Sequence, residues 1–284
     1  MVQNTPQGTP NPLQKYFRTP AIYVKLPSGG RGYPAGTIDM PENGELPVYP
    51  MTAMDEVLAR TPDALYNGSA TVDVFKSCVP NIKEPWNILQ SDVDLLLLAI
   101  RIASYGHEMD MNSTCPNDKC KQENSFTVDL RVLIDSIQNP NYDKSFQIDD
   151  LIIYFKSLNY RELNQNSIAQ FQEQKALAVS ESEDLDDVQR ADLLRKSLES
   201  LTRLTLESLT QSIDHIRVGD TVVNDPKQIL EFLQNAKKEI FEPMRDHLAK
   251  LRTESQLKPV NITCPECGNK YEQPFVLDQS NFFV

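Results

Sequence analysis

Two cysteine pairs that lie far apart in the sequence constrain the fold of this chain more than any other feature. The first pair is in Cys115-Pro116-Asn117-Asp118-Lys119-Cys120, and the second is in Cys264-Pro265-Glu266-Cys267. Each pair begins with Cys-Pro and precedes a short apolar strand pattern. The segments TCPNDKCKQENSFTVDL and TCPECGNKYEQPFVLD therefore read as a degenerate repeat of one supersecondary unit, which we call the first and the second knuckle.

The chemistry of the two knuckles suggests a metal site. Two thiolate pairs supply the four ligands of a tetrahedral zinc site, and such a site is structural because it keeps no open position for water. We predict that one structural Zn²⁺ is bound by Cys115, Cys120, Cys264 and Cys267. Two alternatives stay open: unmetallated thiols in two exposed turns, or a site that combines one pair with a histidine such as His107.

Composition and charge exclude several classes of protein. The chain has 284 residues, of which 40% are hydrophobic and 24% charged, so we expect a globular body. The net charge of −12 argues against sequence-independent nucleic-acid binding. No apolar stretch approaches the roughly 20 residues of a membrane span, and no signal peptide is recognisable. We therefore expect a reducing cytoplasm, where paired cysteines bind metals more often than they form disulfides, and we interpret Cys78 as a buried apolar residue.

The distribution of residue types predicts four parts. Residues 1–50 carry nine of the 19 prolines and six of the ten glycines, which predicts an extended arm that builds no core alone. Residues 51–135 are predicted to be a helical core that ends in the first knuckle. Residues 136–258 are predicted to be a helical insertion with hairpins, and residues 259–284 the second knuckle with a C-terminal strand.

The predicted fold class is α+β and mainly helical, with an extended N-terminal arm, a small split zinc ribbon made by the two knuckles, and a helical insertion with short β-hairpins. The most apolar segment, residues 92–105, is predicted to be the central core helix, capped by Ser91 or Asp92. Thr52 and Asp225 are predicted N-caps. Hairpins are predicted within residues 145–158 and around Gly219-Asp220.

No catalytic motif is recognisable, so no catalytic residue is assigned. The Gly-rich stretch Ser28-Gly29-Gly30-Arg31-Gly32 opens no helix and is predicted to be a plain turn, not a phosphate loop. The acidic residues 181–187 are predicted to be a solvated helix cap, since they lack the alternation of a calcium loop. Phe282 and Phe283, near the chain end, are predicted to pack on the zinc ribbon.

Several short segments, spread over most of the chain, together suggest a family. They are NPL, YFR, IY and LPSGG within residues 11–30, PMTAMDE at 50–56, Asn67-Gly68, SCVP at 77–80, the helix at 96–105, CPNDKC, and the ending CPECGNKYEQPFVLDQSNFF. This set resembles the baseplate hub subunit family of T-even-type contractile-tailed bacteriophages. The resemblance implies a tail baseplate protein that helps to build or hold the hub around the central spike and the start of the tube.

The resulting hypothesis is a non-enzymatic structural component of a contractile phage tail baseplate, in its hub region. We expect it in the virion tail baseplate, after assembly in the host cytoplasm. The expected partners are other baseplate and hub proteins and copies of itself, with the N-terminal arm as a docking segment, and neither nucleic acid nor membrane. One alternative is a hub assembly chaperone absent from the mature virion, and another is a zinc-ribbon nucleic-acid-binding protein.

Overall fold

The computed structural model describes residues 11–61, 67–138, 140–180, 186–254 and 256–275. Over these residues the fold is α+β, with eight α-helices and four small antiparallel sheets. The helices are α1 (Ala53–Ala59), α2 (Ser69–Cys78), α3 (Gln90–Tyr105), α4 (Leu130–Ser136), α5 (Tyr160–Ser180), α6 (Asp187–Ser212), α7 (Pro226–Asn235) and α8 (Lys238–Glu254). Two 3₁₀ turns lie at Pro12–Tyr16 and Pro85–Asn87.

The strands form hairpins and one larger sheet. They are β1 (Ile22–Val24), β2 (Leu46–Val48), β3 (Glu108–Thr114), β4 (Glu123–Asp129), β5 (Phe146–Ile148), β6 (Leu151–Phe155), β7 (Ile213–Val218), β8 (Thr221–Val223), β9 (Val260–Thr263) and β10 (Lys270–Gln273). Strands β5 to β8 form a four-stranded sheet in the order β5-β6-β7-β8, and the other strands pair as β1-β2, β3-β4 and β9-β10. The hairpins predicted within 145–158 and around Gly219-Asp220 are therefore present.

Helix α3 lies in the centre of the first hydrophobic core, as its apolar sequence predicts. Leu96, Leu98 and Ile100 are fully buried there, because a helix that is apolar on most sides must be covered all round. Helix α2 adds Phe75, which is also fully buried, and Cys78 lies in the same cluster as the apolar residue that we predicted. Burial raises the pKa of the Cys78 thiol to about 12, so this cysteine stays protonated.

The N-terminal segment differs from the predicted coreless arm. Strands β1 and β2 pair antiparallel, and Val24 and Leu46 lie buried in the first core. Their alternating apolar side chains cover one face of the body, while turns rich in proline and glycine connect the strands. Arg18 fastens the chain before β1: one guanidinium nitrogen donates to the Pro50 carbonyl at 2.8 Å and another to the Ser77 carbonyl at 2.7 Å.

The start of α3 also differs from the prediction. The N-cap is Leu89, without a side-chain cap bond, and Asp92 is fully buried inside the first turn of the helix. The Asp92 carboxylate accepts hydrogen bonds from the backbone N–H of Ser28 (2.9 Å), from the Ser28 hydroxyl (2.5 Å) and from the Tyr33 hydroxyl. Desolvation by burial raises the pKa of Asp92. Asp92 is thus a buried acceptor that fastens the N-terminal segment, and not a helix cap.

These contacts also explain the Gly-rich turn. The backbone N–H groups of Gly29 and Arg31 donate to Leu26 and Ser28 carbonyls, and the N–H of Gly30 donates to the Ser28 hydroxyl. Because these donors are already used within the turn, they are not directed toward a phosphate. The stretch is the structural turn that the sequence predicted.

The segment between the two knuckles builds a second core between the four-stranded sheet and the last two helices. Ile153, Ile229 and Met244 are its largest fully buried side chains. Helix α8 continues through Pro243. The two cores are joined where the backbone N–H of Gln90 donates to the Leu158 carbonyl at 2.8 Å.

Two of the predicted helix caps are confirmed. Thr52 forms a capping box with Asp55, and Asp225 caps α7 ahead of Pro226. Most of the acidic run at 181–187, together with Phe282 and Phe283, lies outside the described residues. None of the described helices combines the length and apolarity that crossing a bilayer requires.

Candidate metal centre

Each knuckle lies at the tip of a two-stranded hairpin. The first connects β3 to β4 after the Thr114–Glu123 pair, and the second connects β9 to β10 after the Thr263–Lys270 pair. Both loops close in the same way, because the N–H of the first cysteine donates to the backbone carbonyl of a residue beyond the second. The closing bonds, both 2.9 Å, run from Cys115 to Gln122 and from Cys264 to Asn269. The sequence repeat is therefore also a repeat of local structure.

The turn after the second cysteine is the same in both knuckles. Lys121 and Gly268 follow Cys120 and Cys267, and both have positive φ angles, 49° and 71°. This left-handed conformation costs an ordinary L-residue about 1–2 kcal/mol and costs glycine almost nothing. The backbone N–H of each then donates back across the turn, at 3.0 Å from Lys121 to Asn117 and at 2.9 Å from Gly268 to Cys264.

The two tips bring all four predicted ligands together. The sulfur atoms of Cys115, Cys120, Cys264 and Cys267 all lie within 4.8 Å of one another. Sγ of Cys115 is 3.7 Å from Sγ of Cys267, and Sγ of Cys120 is 3.8 Å from Sγ of Cys264. A tetrahedron with zinc–sulfur bonds of about 2.3 Å has edges of about 3.8 Å, whereas a disulfide would need sulfurs about 2.05 Å apart. The donor set thus fits a four-thiolate zinc site.

Hydrogen-bond donors surround the sulfurs. The side-chain amides of Asn124 and Asn269 each point to the first cysteine of the opposite knuckle, at 3.7 Å from Cys264 and 3.9 Å from Cys115. The Asn117 amide lies 3.9 Å from the Cys267 sulfur. These donors partly offset the negative charge that four thiolates concentrate in one place. The sequence patterns did not single out the three asparagines, because their partners lie on the other hairpin.

Backbone donors affect the protonation of the cluster. The N–H groups of Cys267 and Glu266 donate to the sulfur of Cys264 and lower the pKa of this thiol to about 7. Desolvation raises the pKa of the Cys115 thiol, and Cys115 and Cys264 are both buried. Because the thiolate is the form that binds a metal, this lowered pKa favours metal binding by Cys264.

Polar side chains also hold the two hairpins against each other away from the sulfurs. The hydroxyl of Ser113 on β3 is 2.7 Å from Oε1 of Gln273 and 3.0 Å from the hydroxyl of Tyr271, both on β10. Ser113 is buried, so its hydrogen bonds add to the pairing of the tips.

The histidines do not belong to the cluster. Within the described residues, the group of cysteine, histidine and acidic side chains placed to hold a metal consists of the four cysteines. His215 stacks on Tyr154 with ring centroids 4.3 Å apart, and its Nδ1 lies 2.7 Å from Oδ2 of Asp214. His247 packs against Phe146 in the second core. The mixed cysteine–histidine alternative therefore lacks support from the geometry.

Comparison with known protein families shows a match over nearly the whole chain. The model of the family described as T4 bacteriophage base plate protein matches residues 20–284, which is nearly the whole chain. No curated protein and no solved structure matches the chain. The matched range includes both knuckles and excludes the 3₁₀ turn at Pro12–Tyr16.

Proposed function

The chain belongs to the family of T4 bacteriophage base plate proteins, and on this premise we propose that it is a non-enzymatic structural subunit in the hub region of a contractile tail baseplate. The observation that carries the proposal is the family match over residues 20–284. The hub location is a more specific assignment than membership of this family. It derives from the resemblance of the short sequence segments to baseplate hub subunits.

We further propose that the four cysteines bind one Zn²⁺ and so form a split zinc ribbon. The sulfur distances and the surrounding N–H donors support this assignment. Bound zinc would neutralise thiolate charge and add its binding free energy to folding. The protein residues hold the ligands in place through the two hairpin tips, and the site leaves no coordination position for a substrate.

The segment just before the family match supports a docking role for the N-terminus. Leu13, Tyr16 and Phe17 are 60%, 73% and 59% exposed, although apolar and aromatic side chains of this size are normally covered. Arg18, directly after Phe17, is fastened to the body, so these three side chains are held on the surface at a defined place. Aromatic residues that are exposed and fixed in position are typical of protein–protein interfaces.

Helix α1 carries further exposed apolar side chains. Arg18 contacts the buried Asp55 of this helix at 3.4 Å, so the helix lies beside the N-terminal segment. Met54 and Val57 of α1 are 67% and 64% exposed. We propose that Leu13, Tyr16, Phe17, Met54 and Val57 form one docking surface for a neighbouring baseplate or hub subunit.

Mass spectrometry of purified virions tests the structural role. A structural subunit is expected at a fixed ratio to other baseplate proteins in every particle preparation. Its absence from particles, together with failure of hub assembly when its gene is deleted, would instead identify an assembly chaperone. Salt-sensitive binding of the purified chain to DNA would favour the nucleic-acid alternative, which the net charge of −12 disfavours.

The docking surface is tested by changing Leu13, Tyr16 and Phe17 together to serine. Because all three side chains are exposed, we expect an unchanged thermal unfolding temperature and loss of incorporation into baseplates. A matched control changes Val222, which is 55% exposed on β8, to serine and should leave incorporation intact. Normal incorporation of the triple variant would contradict the proposed docking role of this surface. The family assignment would be unaffected.

A further inference from the structure

Two asparagine side chains reach across from one hairpin to the other at the candidate metal centre. The side-chain nitrogen of Asn124, on β4, lies 3.7 Å from the sulfur of Cys264 in the second knuckle. The side-chain nitrogen of Asn269, just before β10, lies 3.9 Å from the sulfur of Cys115 in the first knuckle. Each hairpin therefore provides an N–H donor for the first cysteine of the other hairpin.

The strand register directs Asn124 toward the second hairpin. Asn124 and Ser113 lie directly opposite each other in the antiparallel pair of β3 and β4, so their side chains share one face of the hairpin. On that face the Ser113 hydroxyl lies 2.7 Å from Oε1 of Gln273, which belongs to the second hairpin. The side-chain nitrogen of Asn124 also donates to the Gln122 carbonyl at 3.3 Å, and this second bond holds the amide in its orientation.

The backbone of the second knuckle fixes the place of Asn269. Its carbonyl accepts the N–H of Cys264 at 2.9 Å, and Gly268 before it has the left-handed conformation of the turn. Asn124 and Asn269 are both half-buried, so water has reduced access to the contacts between amide and sulfur. A hydrogen bond to a charged acceptor is stronger where water is partly excluded.

The charge of a four-thiolate zinc site makes such donors important. Four thiolates around one Zn²⁺ leave a net charge of about −2, and the chain itself carries −12. Lys121, next to Cys120, pairs with Asp118 at 2.9 Å, so its charge is already used. Neutral amide groups that donate to the sulfurs stabilise the thiolate charge without adding a further ion pair.

We propose that Asn124 and Asn269 are positioning residues that set the zinc affinity of this site, each by donating to the first cysteine of the opposite knuckle. The inference rests on the proposed zinc site and gives a role in it to two residues that do not bind the metal. Because each donor belongs to the other hairpin, both amide donors reach their sulfurs only when the two hairpins are docked. Zinc binding and docking of the hairpins therefore favour each other.

The zinc affinity of the full-length chain, measured by competition with a chromophoric chelator, tests the proposal. Asn124→Ala and Asn269→Ala each remove one donor and should weaken zinc binding about tenfold. Asn124→Asp and Asn269→Asp keep the shape of the side chain but place a carboxylate beside the sulfur, and should weaken it further. Asn112→Ala on β3 and Asn261→Ala on β9 are the matched controls and should leave the affinity unchanged, because both side chains are exposed.

Replacement of zinc by Co²⁺ gives a second readout, which a purely structural role of the asparagines would not change. Amide donors lower the energy of the sulfur lone pairs. Their loss in Asn124→Ala and Asn269→Ala should therefore shift the sulfur-to-cobalt charge-transfer absorption to longer wavelength, while the visible spectrum of four-coordinate cobalt is retained. Circular dichroism of every variant checks that the fold is intact.

The outcomes separate this inference from the zinc assignment itself. Alanine variants with the zinc affinity and the cobalt spectrum of the wild-type chain would overturn the role of the asparagines and leave the zinc site in place. Weaker zinc binding with an unchanged cobalt spectrum would also overturn it, because the asparagines would then only hold the hairpins together. A wild-type chain that binds neither metal would overturn the zinc assignment, and this inference with it.

Discussion

Lys121 and Gly268 occupy the same left-handed backbone position, each directly after the second cysteine of its knuckle. The two knuckles are therefore alike in conformation although their cysteines are spaced differently, and only one of them has a glycine where the turn favours it. This difference allows backbone strain at the candidate metal centre to be measured.

Lys121→Gly should stabilise the chain by about 1 kcal/mol, because glycine adopts the positive φ angle without a steric penalty. Gly268→Ala should destabilise it by about 1 kcal/mol for the converse reason. No atom lies within 4 Å of a Cβ placed on Gly268, so the loss would report backbone strain alone. Chemical denaturation of the three chains under zinc-saturating conditions measures both changes. A stabilising effect of Gly268→Ala would show that the turn is not held in this conformation.

Removal of zinc should loosen the chain. The sequence separation of Cys120 and Cys264 is 144 residues. If bound zinc acts like a covalent crosslink, closing a loop of that length raises the free energy of the unfolded chain by about 5 kcal/mol. We expect one zinc per chain by elemental analysis. Chelation or Cys264→Ser should increase hydrogen exchange in the insertion more than in the first core.

Cys78→Ala is the matched control for the zinc experiment. Cys78 is a buried cysteine outside the cluster, so its removal should cost stability through a small cavity yet leave the zinc content unchanged. Full thermal stability of a wild-type chain that contains no zinc would reject the metal clasp, and would leave the family assignment in place.

Asp94 should make stability depend on pH. Desolvation by burial raises its pKa from 3.8 to about 6, so between these values the folded chain holds a proton that the unfolded chain has lost. Below about pH 4, Asp94 is protonated in both the folded and the unfolded chain and does not lower the free energy of unfolding. As the pH rises from about 4 toward 6, the free energy of unfolding should fall. Asp94→Asn removes this penalty and should stabilise the chain at pH 7 by up to about 3 kcal/mol, with little effect near pH 4.

Thermal unfolding of Asp94→Asn across this pH range, beside Asp73→Asn at an exposed position of α2, measures the effect. A gain in stability for Asp94→Asn that is the same at pH 4 and pH 7 would contradict a shifted pKa. It would point to a simple packing improvement.

Arg18 should be required to hold the N-terminal docking surface in place. Its guanidinium bonds the carbonyls of Pro50 and Ser77 together, which a single lysine ammonium cannot reproduce. Both Arg18→Lys and Arg18→Ala should therefore lower the free energy of unfolding by about 1–3 kcal/mol and speed cleavage by chymotrypsin after Phe17. Retention of wild-type stability and cleavage rate by Arg18→Lys would show that charge alone is sufficient.

Features that depend on neighbours in the sequence were predictable. The Thr52–Asp55 capping box and Pro226 act within one turn of a helix, and the apolar run of α3 determines its own burial. The place of residues 22–48 in the core was not predictable, because strands of three residues carry too little pattern to show what they pack on. Asp92 was taken for a cap for the same reason: its partners, Ser28 and Tyr33, lie about 60 positions away.

The sequence alone determined the chemistry of the candidate metal centre, because the type and local spacing of Cys115, Cys120, Cys264 and Cys267 decide what such a group can bind. Only the tertiary structure decided that cysteines 152 positions apart meet with their sulfurs 3.7 Å from each other. The physical reason is that spacing acts over a few residues, whereas these contacts depend on how two cores and two hairpins pack together.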